Sequence, residues 1–390
     1  MSATFYDLLK FAKTGIAAPE MTHYDKLKAL AMCKAGFPVK TLSGVPPISF
    51  QSDGTPLTAW SISGNMTQTG TPTPSAPIQP EQTGDKTGNL FDVDWYSGRT
   101  GITVSNDTVS GKVDRFYNSR ISLPSELIGK TVTWSVYIKR PDNQGTVRVQ
   151  TADNGVYTYG NNITGEGESE VTFVVTASIR LYINYGGTGT DVVTLSKIML
   201  NTGSSPLPYE PYGYKLPLTL AGQTQTVYLS EPLRKIGDYA DKIEASGTTG
   251  TVTRRIKKRV FDGTETDWHT AGSDTALRFY TGLNGVSEIT AFFCSHFSSG
   301  QVSVNGKCTI TSAGNFVANN SGLATTVAEW KTWLADEYAA GTPVCVWYVL
   351  ATAQTETVTV PTLTPQKGIN TLTVGTTLQP SEVSITGGIK

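Results

Sequence analysis

Charge is the first scarcity in this sequence. Only 16% of its 390 residues are Asp, Glu, Lys or Arg, and they balance to a formal net charge of −1. A surface so near neutrality has no general attraction for nucleic acid or an anionic membrane, and neither is expected as a partner. Cysteine is scarce too. Cys33, Cys294, Cys308 and Cys345 are too few and too scattered for a disulfide framework, show no zinc-site spacing, and read as reduced, buried thiols. The three histidines (His23, His269, His296) stand at no ligand spacing from one another. His296 would share a strand face with Cys294, two ligands short of a metal site. No apolar run approaches the ~20 residues that cross a bilayer. The opening MSATFYDLLKFAKTG, with Asp7 early, lacks the form of a signal peptide. GxSxG, HExxH and a glycine fingerprint after a strand are all missing, so the chain is read as no enzyme, with no catalytic residue, metal or cofactor.

Thr, Ser, Gly and Asn fill the space instead. Thr suits a pleated surface through its branched Cβ, and Gly and Asn suit tight turns, so a mainly β, multi-domain protein is expected. Residues 1–40 differ. Phe5, Leu8, Leu9 and Ala12 recur at helical spacing, and a second helix opens at Thr22 with Asp25 in a capping box and stops at Gly36. This helical segment is expected to attach the protein to a neighbour or to its own body. Residues 41–66 alternate as a short β segment turning at Ser52, Asp53 and Gly54. Residues 67–88 carry four prolines and almost nothing apolar, which predicts an extended tether. Residues 89–213 read as a β-sandwich with strands at 131–139, 146–150, 169–176, 179–184 and 191–200. Residues 214–390 form a C-terminal β-rich domain with one helix. Thr326 and Glu329 make its capping box, Trp330, Trp333 and Leu334 its apolar face, and Gly341 its end. The run VCVWYVL at 344–350 is apolar throughout and is expected as a central, buried strand.

Several stretches carry a resemblance. The run GNMTQTGTPTPSAPIQPEQTG followed by NLFD resembles a linker that recurs in tail-associated structural proteins of phages and prophages of Gram-positive bacteria. KIMLNTGSSPLPYEPYG resembles the closing strand of their carbohydrate-binding-module-like jelly rolls. GDYADKIEASGTTGTVTRRIKKRVFDGTE and AAGTPVCVWYVLATAQTETV resemble modules of the same minor tail proteins. The resemblance spans most of residues 44–390 and implies a virion component, a tail fibre, baseplate or receptor-binding protein. It also implies assembly in the bacterial cytoplasm, tail and baseplate proteins and a host-surface glycan as partners, and no catalytic residue. A homo-oligomer is expected, a trimer first; without heptads or triple-helix repeats, its contacts would come from domain surfaces.

Candidate binding chemistry lies in the sandwich. A sugar's C–H face stacks on an aromatic ring while amides bond its hydroxyls. DNGVYTYGNN places Tyr157 and Tyr159 on one strand face beside Asn154 and Asn161. Trp95, Tyr96, Phe116 and Tyr117 lie in loop-rich stretches, and Trp95 and Tyr96 join the candidate set; Trp134, inside an alternating strand, reads as core. Cleavage of a glycan would need two carboxyls ~5–10 Å apart. Asp92, Asp94, Glu166 and Glu168 stand in polar stretches as solvated acids, or in the case of Asp92 and Asp94 as ligands for a structural calcium. The run RRIKKR at 254–259 would set Arg255, Lys257 and Arg259 on one face, toward solvent, an acidic subunit or an anionic wall polymer, with Ile256 and Val260 turned to the other. The readings are a structural and adhesive virion protein, a tail-borne glycan or cell-wall hydrolase, and a free carbohydrate-binding protein, the last disfavoured without an export signal.

Overall fold

A computed structural model describes residues 40–389 apart from 106, 141–144, 188, 190, 272–277 and 320–321. The expected N-terminal helices, and Cys33 with them, lie outside the described residues. Within them the protein is mainly β, in line with its Thr-rich, Gly-punctuated sequence, with α-helices only at Val113–Asn118 and Val327–Ala339.

The chain builds a central two-sheet body from its two ends and hangs two insertions on it. One body sheet runs in the order Thr41–Gly44, Glu382–Thr386, Ala59–Ser63, Lys242–Ser246, Thr249–Phe261, Val344–Thr359, Val286–Cys294. The other runs Gln223–Leu229, Tyr214–Leu220, Lys367–Val374, Ile48–Asp53. Alternating residues of both sheets (Phe50, Trp60, Ile62, Leu218, Ile243, Leu372, Val383, Ile385) meet in one core. Residues 41–66 are thus strands of the body itself, paired with the last strand of the chain.

The first insertion enters at Asp85–Lys86 and leaves at Tyr214–Leu220, and these two segments pair with each other. Between them the chain folds into two sheets. One is Glu166–Val174, Thr131–Lys139, Val192–Thr202, Thr108–Lys112, Ile102–Ser105; the other is Val156–Tyr159, Thr146–Asp153, Arg180–Gly186, Ile121–Ser122. From Thr108 onward the strands fall into two four-stranded sheets in the order of a jelly roll. Its core is contiguous in sequence, from Phe91 to Leu200, with Trp134 wholly buried at its centre.

The second insertion leaves the body at Phe261 and re-enters at Val344, which are paired residues. It packs a small sheet and the helix Val327–Ala339 around Phe261, Phe279, Phe316 and Trp330. Thr326 caps the helix by accepting from the Glu329 backbone N–H, as the sequence predicts, while the Glu329 carboxylate takes the N–H and hydroxyl of Thr325. The 344–350 run is buried residue by residue because both its faces are covered. Val344, Val346, Tyr348 and Leu350 enter this core; Cys345, Trp347 and Val349 pack on Met66, Ile236 and Ile256.

Residues 67–88 are not an extended tether. Met66–Thr67 pairs with Glu81–Gln82, the Ile78 N–H donates to the Ser295 carbonyl, and the Gln68 side-chain amide donates to the carbonyls of Ile78 and Cys294. The segment folds back on the body because its backbone and amide groups find acceptors there. Composition alone does not reveal those partners.

Candidate functional site

The outer face of the four-stranded jelly-roll sheet collects the sequence candidates. Asn154 (φ 47°) and Gly155 (φ 85°) turn the hairpin between Thr146–Asp153 and Val156–Tyr159. Two successive residues with positive φ are what a tight two-residue hairpin requires. The register that follows sets Tyr159 opposite Gln150 and Gln150 opposite Tyr182, while Tyr157, Ala152 and Arg180 form the next row. Directly opposed residues share a face, so four strands deliver one surface.

On that surface Tyr157 and Tyr159 are half exposed, with rings 6.3 Å apart and 24° from parallel. The Arg148 guanidinium lies over the Tyr159 ring, 4.0 Å from its centroid. Tyr182 forms the floor at 1% exposure, its hydroxyl taking a hydrogen bond from the Gln150 amide. The exposed Tyr117, from the helix Val113–Asn118, meets Tyr182 edge-on at 5.4 Å, and Arg120 stands 5.6 Å from the Tyr182 ring. Burial, with Tyr117 second, pushes the Tyr182 phenol up to about 12, so it stays protonated and can donate. Gln150 is buried, and its carbonyl oxygen has no hydrogen-bond partner.

The other candidates distribute differently. Asn154 serves the turn and donates from its side-chain amide to the Ser178 hydroxyl. Asn161 is exposed just past the same strand, its carbonyl accepting from Ser169. Tyr96 is not available for binding: it is 0% exposed and meets Phe116 edge-on at 5.4 Å. The 3-10 turn Val93–Tyr96 rotates successive side chains by about a third of a circle, so Tyr96 points inward while Trp95 is half-buried against Phe91. Asp92 caps that turn by accepting from the Asp94 N–H, and no group of acids, histidines or cysteines among the described residues is arranged to hold a metal. Asp92 and Asp94 instead line a cleft of about 450 Å³ opposite Arg254, Lys257 and Lys258. Glu166 and Glu168 lie exposed on the other jelly-roll sheet, Glu166 3.9 Å from Lys139.

The basic run departs from simple alternation. Asp241, wholly buried, accepts the N–H groups of both Arg255 and Ile256, at 2.7 and 2.9 Å, where the strand pairing shifts register. Arg254 is buried, 3.7 Å from Asp241 and 2.6 Å from Glu356, and beyond the shift Ile256 is buried while Val260 is 39% exposed. Ser295, His296 and Glu337 form a hydrogen-bonded chain that looks like nucleophile chemistry. Both Ser295 and His296 are 0% exposed, however, and the serine oxygen already accepts the Cys345 N–H.

No family model and no curated protein matches the chain. Among solved structures, the first xylan-binding CBM22 domain of Xyn10C from Paenibacillus barcinonensis is similar over 44% of this chain and 99% of its own, at 10% identity and TM-score 0.18. The stem and receptor-binding domain of spike protein P1 from bacteriophage PM2 is similar over 43% and 98%, at 10% identity and TM-score 0.17. The globular domain of zebrafish complement 1qA follows over 38% and 96%, at 9% identity and TM-score 0.16. Superposition at this level is too loose to assign a family.

Proposed function

We propose that this chain is a structural component of a phage tail whose jelly roll holds host-surface glycan without cleaving it. The observation that carries the reading is the half-exposed pair Tyr157 and Tyr159 beside the Tyr182 floor. Rings offer faces and edges to sugar C–H groups, and amide and phenol groups meet hydroxyls. Such a site binds weakly alone. Repeated copies on a particle, as in the proposed homotrimer joined to tail and baseplate proteins in the virion, multiply modest affinity. The resemblance of the 64–84, 89–92 and 197–213 stretches to phage tail proteins supports the virion setting.

The test is the double substitution Tyr157→Ala with Tyr159→Ala in the full chain, measured by pull-down on host cell-wall material. Retention should fall at least about tenfold, a loss of ~1.4 kcal/mol, with the melting temperature nearly unchanged. Undiminished retention overturns the reading. Release of reducing ends from the same material by the unaltered protein would favour the alternative, a tail-borne hydrolase.

A further inference from the structure

We infer that the tyrosine face selects acidic saccharides, through Arg148 and Arg120. The inference rests on the glycan reading and names its ligand class. Both guanidiniums are held by ring faces, Arg148 on Tyr159 and Arg120 on Tyr182. Neither has a carboxylate partner or a side-chain hydrogen bond among the described residues. Other arginines of the protein are used internally: Arg234 and Arg254 on acids and carbonyls, Arg259 on Gly282 and Asp267, Arg180 on the carbonyls of Ala177 and Ile179.

A guanidinium lying over a ring keeps all five of its N–H donors, and its planar fork matches carboxylate and phosphate oxygens. Tyr159 and Tyr182 are separated by the single strand bearing Gln150, so two strand spacings, about 10 Å, part the two stacked rings. One cation therefore stands at each end of a row whose middle is the Gln150 carbonyl oxygen, buried and without a partner. Acidic substituents of a bound saccharide can reach the two forks. Glu166, Glu168 and Glu170 alternate outward along Glu166–Val174 on the opposite sheet. Arg120 and Arg148 make the tyrosine face attractive to anions in a chain of nearly neutral net charge.

The experiment compares the full-length protein with its R120Q/R148Q variant by affinity electrophoresis. The probes are polygalacturonate, poly(glycerol phosphate) and two neutral polymers, dextran and xylan. Affinity for one or both acidic polymers should fall at least tenfold in the variant, and any neutral binding should stay unchanged. The acidic probe retained more strongly identifies carboxylate or phosphodiester as the source. R148K, which keeps the charge but loses the fork, should bind the preferred acid more weakly than the unaltered protein. If loss of Arg148 unseats Tyr159, R120Q alone still reports from the other end of the row. Equal binding of the acidic polymers by the double variant overturns the inference. Binding of neutral polymers only overturns it and leaves the glycan reading standing; binding of none of the four overturns both.

Discussion

The jelly roll and the body are both two-sheet sandwiches, yet the chain assembles them in opposite ways. Every core residue of the jelly roll lies between Phe91 and Leu200. The body closes only when Thr41 meets Thr386, 345 positions apart. The first can form from its own segment; the second must wait for both ends, at the entropic cost of closing a very long loop. Both insertions leave and return through paired residues, Lys86 with Tyr214 and Phe261 with Val344, and the second also lends Val286–Cys294 to the edge of the body sheet. The tyrosine face thus sits on a module that folds by local rules, and the body is held by contacts distant in sequence, with Asp241 at their polar centre.

The strongest way to break this comparison is Ile385→Asp, which buries an unpaired carboxylate in the body core. A loss of several kcal/mol is expected there, and calorimetry should show the body transition collapse while the jelly-roll transition stays. A single transition that moves as a whole would mean the two modules are one cooperative unit. Asp241→Ala comes next. It strips the N–H groups of Arg234, Arg255 and Ile256 of their acceptor and leaves Arg254 a buried guanidinium short of a partner. About 3–5 kcal/mol should be lost, again from the body alone. Burial already holds the Asp241 carboxyl above its usual range, against the hydrogen bonds and guanidiniums that favour its charge.

Acid sharpens the picture in the second insertion. Burial lowers the His296 pKa, with Glu337 opposing. The unfolded chain therefore binds the proton more readily than the folded one. This contribution is complete above the ordinary histidine value of ~6.5 and is lost as pH falls below it toward the folded value. The module's melting temperature should decline between pH 7 and 5, and His296→Gln should flatten that decline. The smallest effect belongs to the tyrosine face. Tyr157→Ala with Tyr159→Ala should change jelly-roll stability by no more than about 1 kcal/mol, since both rings are half exposed. A loss of several kcal/mol by thermal melting would make them structural.

What the sequence determined by itself is whatever depends on neighbours a few residues away. The helix Val327–Ala339 was legible from Thr326 and Glu329, the buried 344–350 strand from its unbroken apolar run, and the shared face of Tyr157 and Tyr159 from strand alternation. The β class followed from Thr, Gly and Asn for the same reason. Tertiary structure decided what depends on partners far along the chain. The proline-rich 67–88 segment lies on the body because distant carbonyls at Cys294 and Ser295 take its donors. A 3-10 turn packed on Phe116 buries Tyr96, and a register shift beside the buried Asp241 interrupts the basic strand at Arg255. Arg148 and Gln150 alternate on one strand, and Tyr182 and Asn184 on another, a signal that was present but mute. Only cross-strand register brings Tyr159, Gln150 and Tyr182 into one row, because pairing partners are chosen by the burial of whole sheets and not by any local spacing.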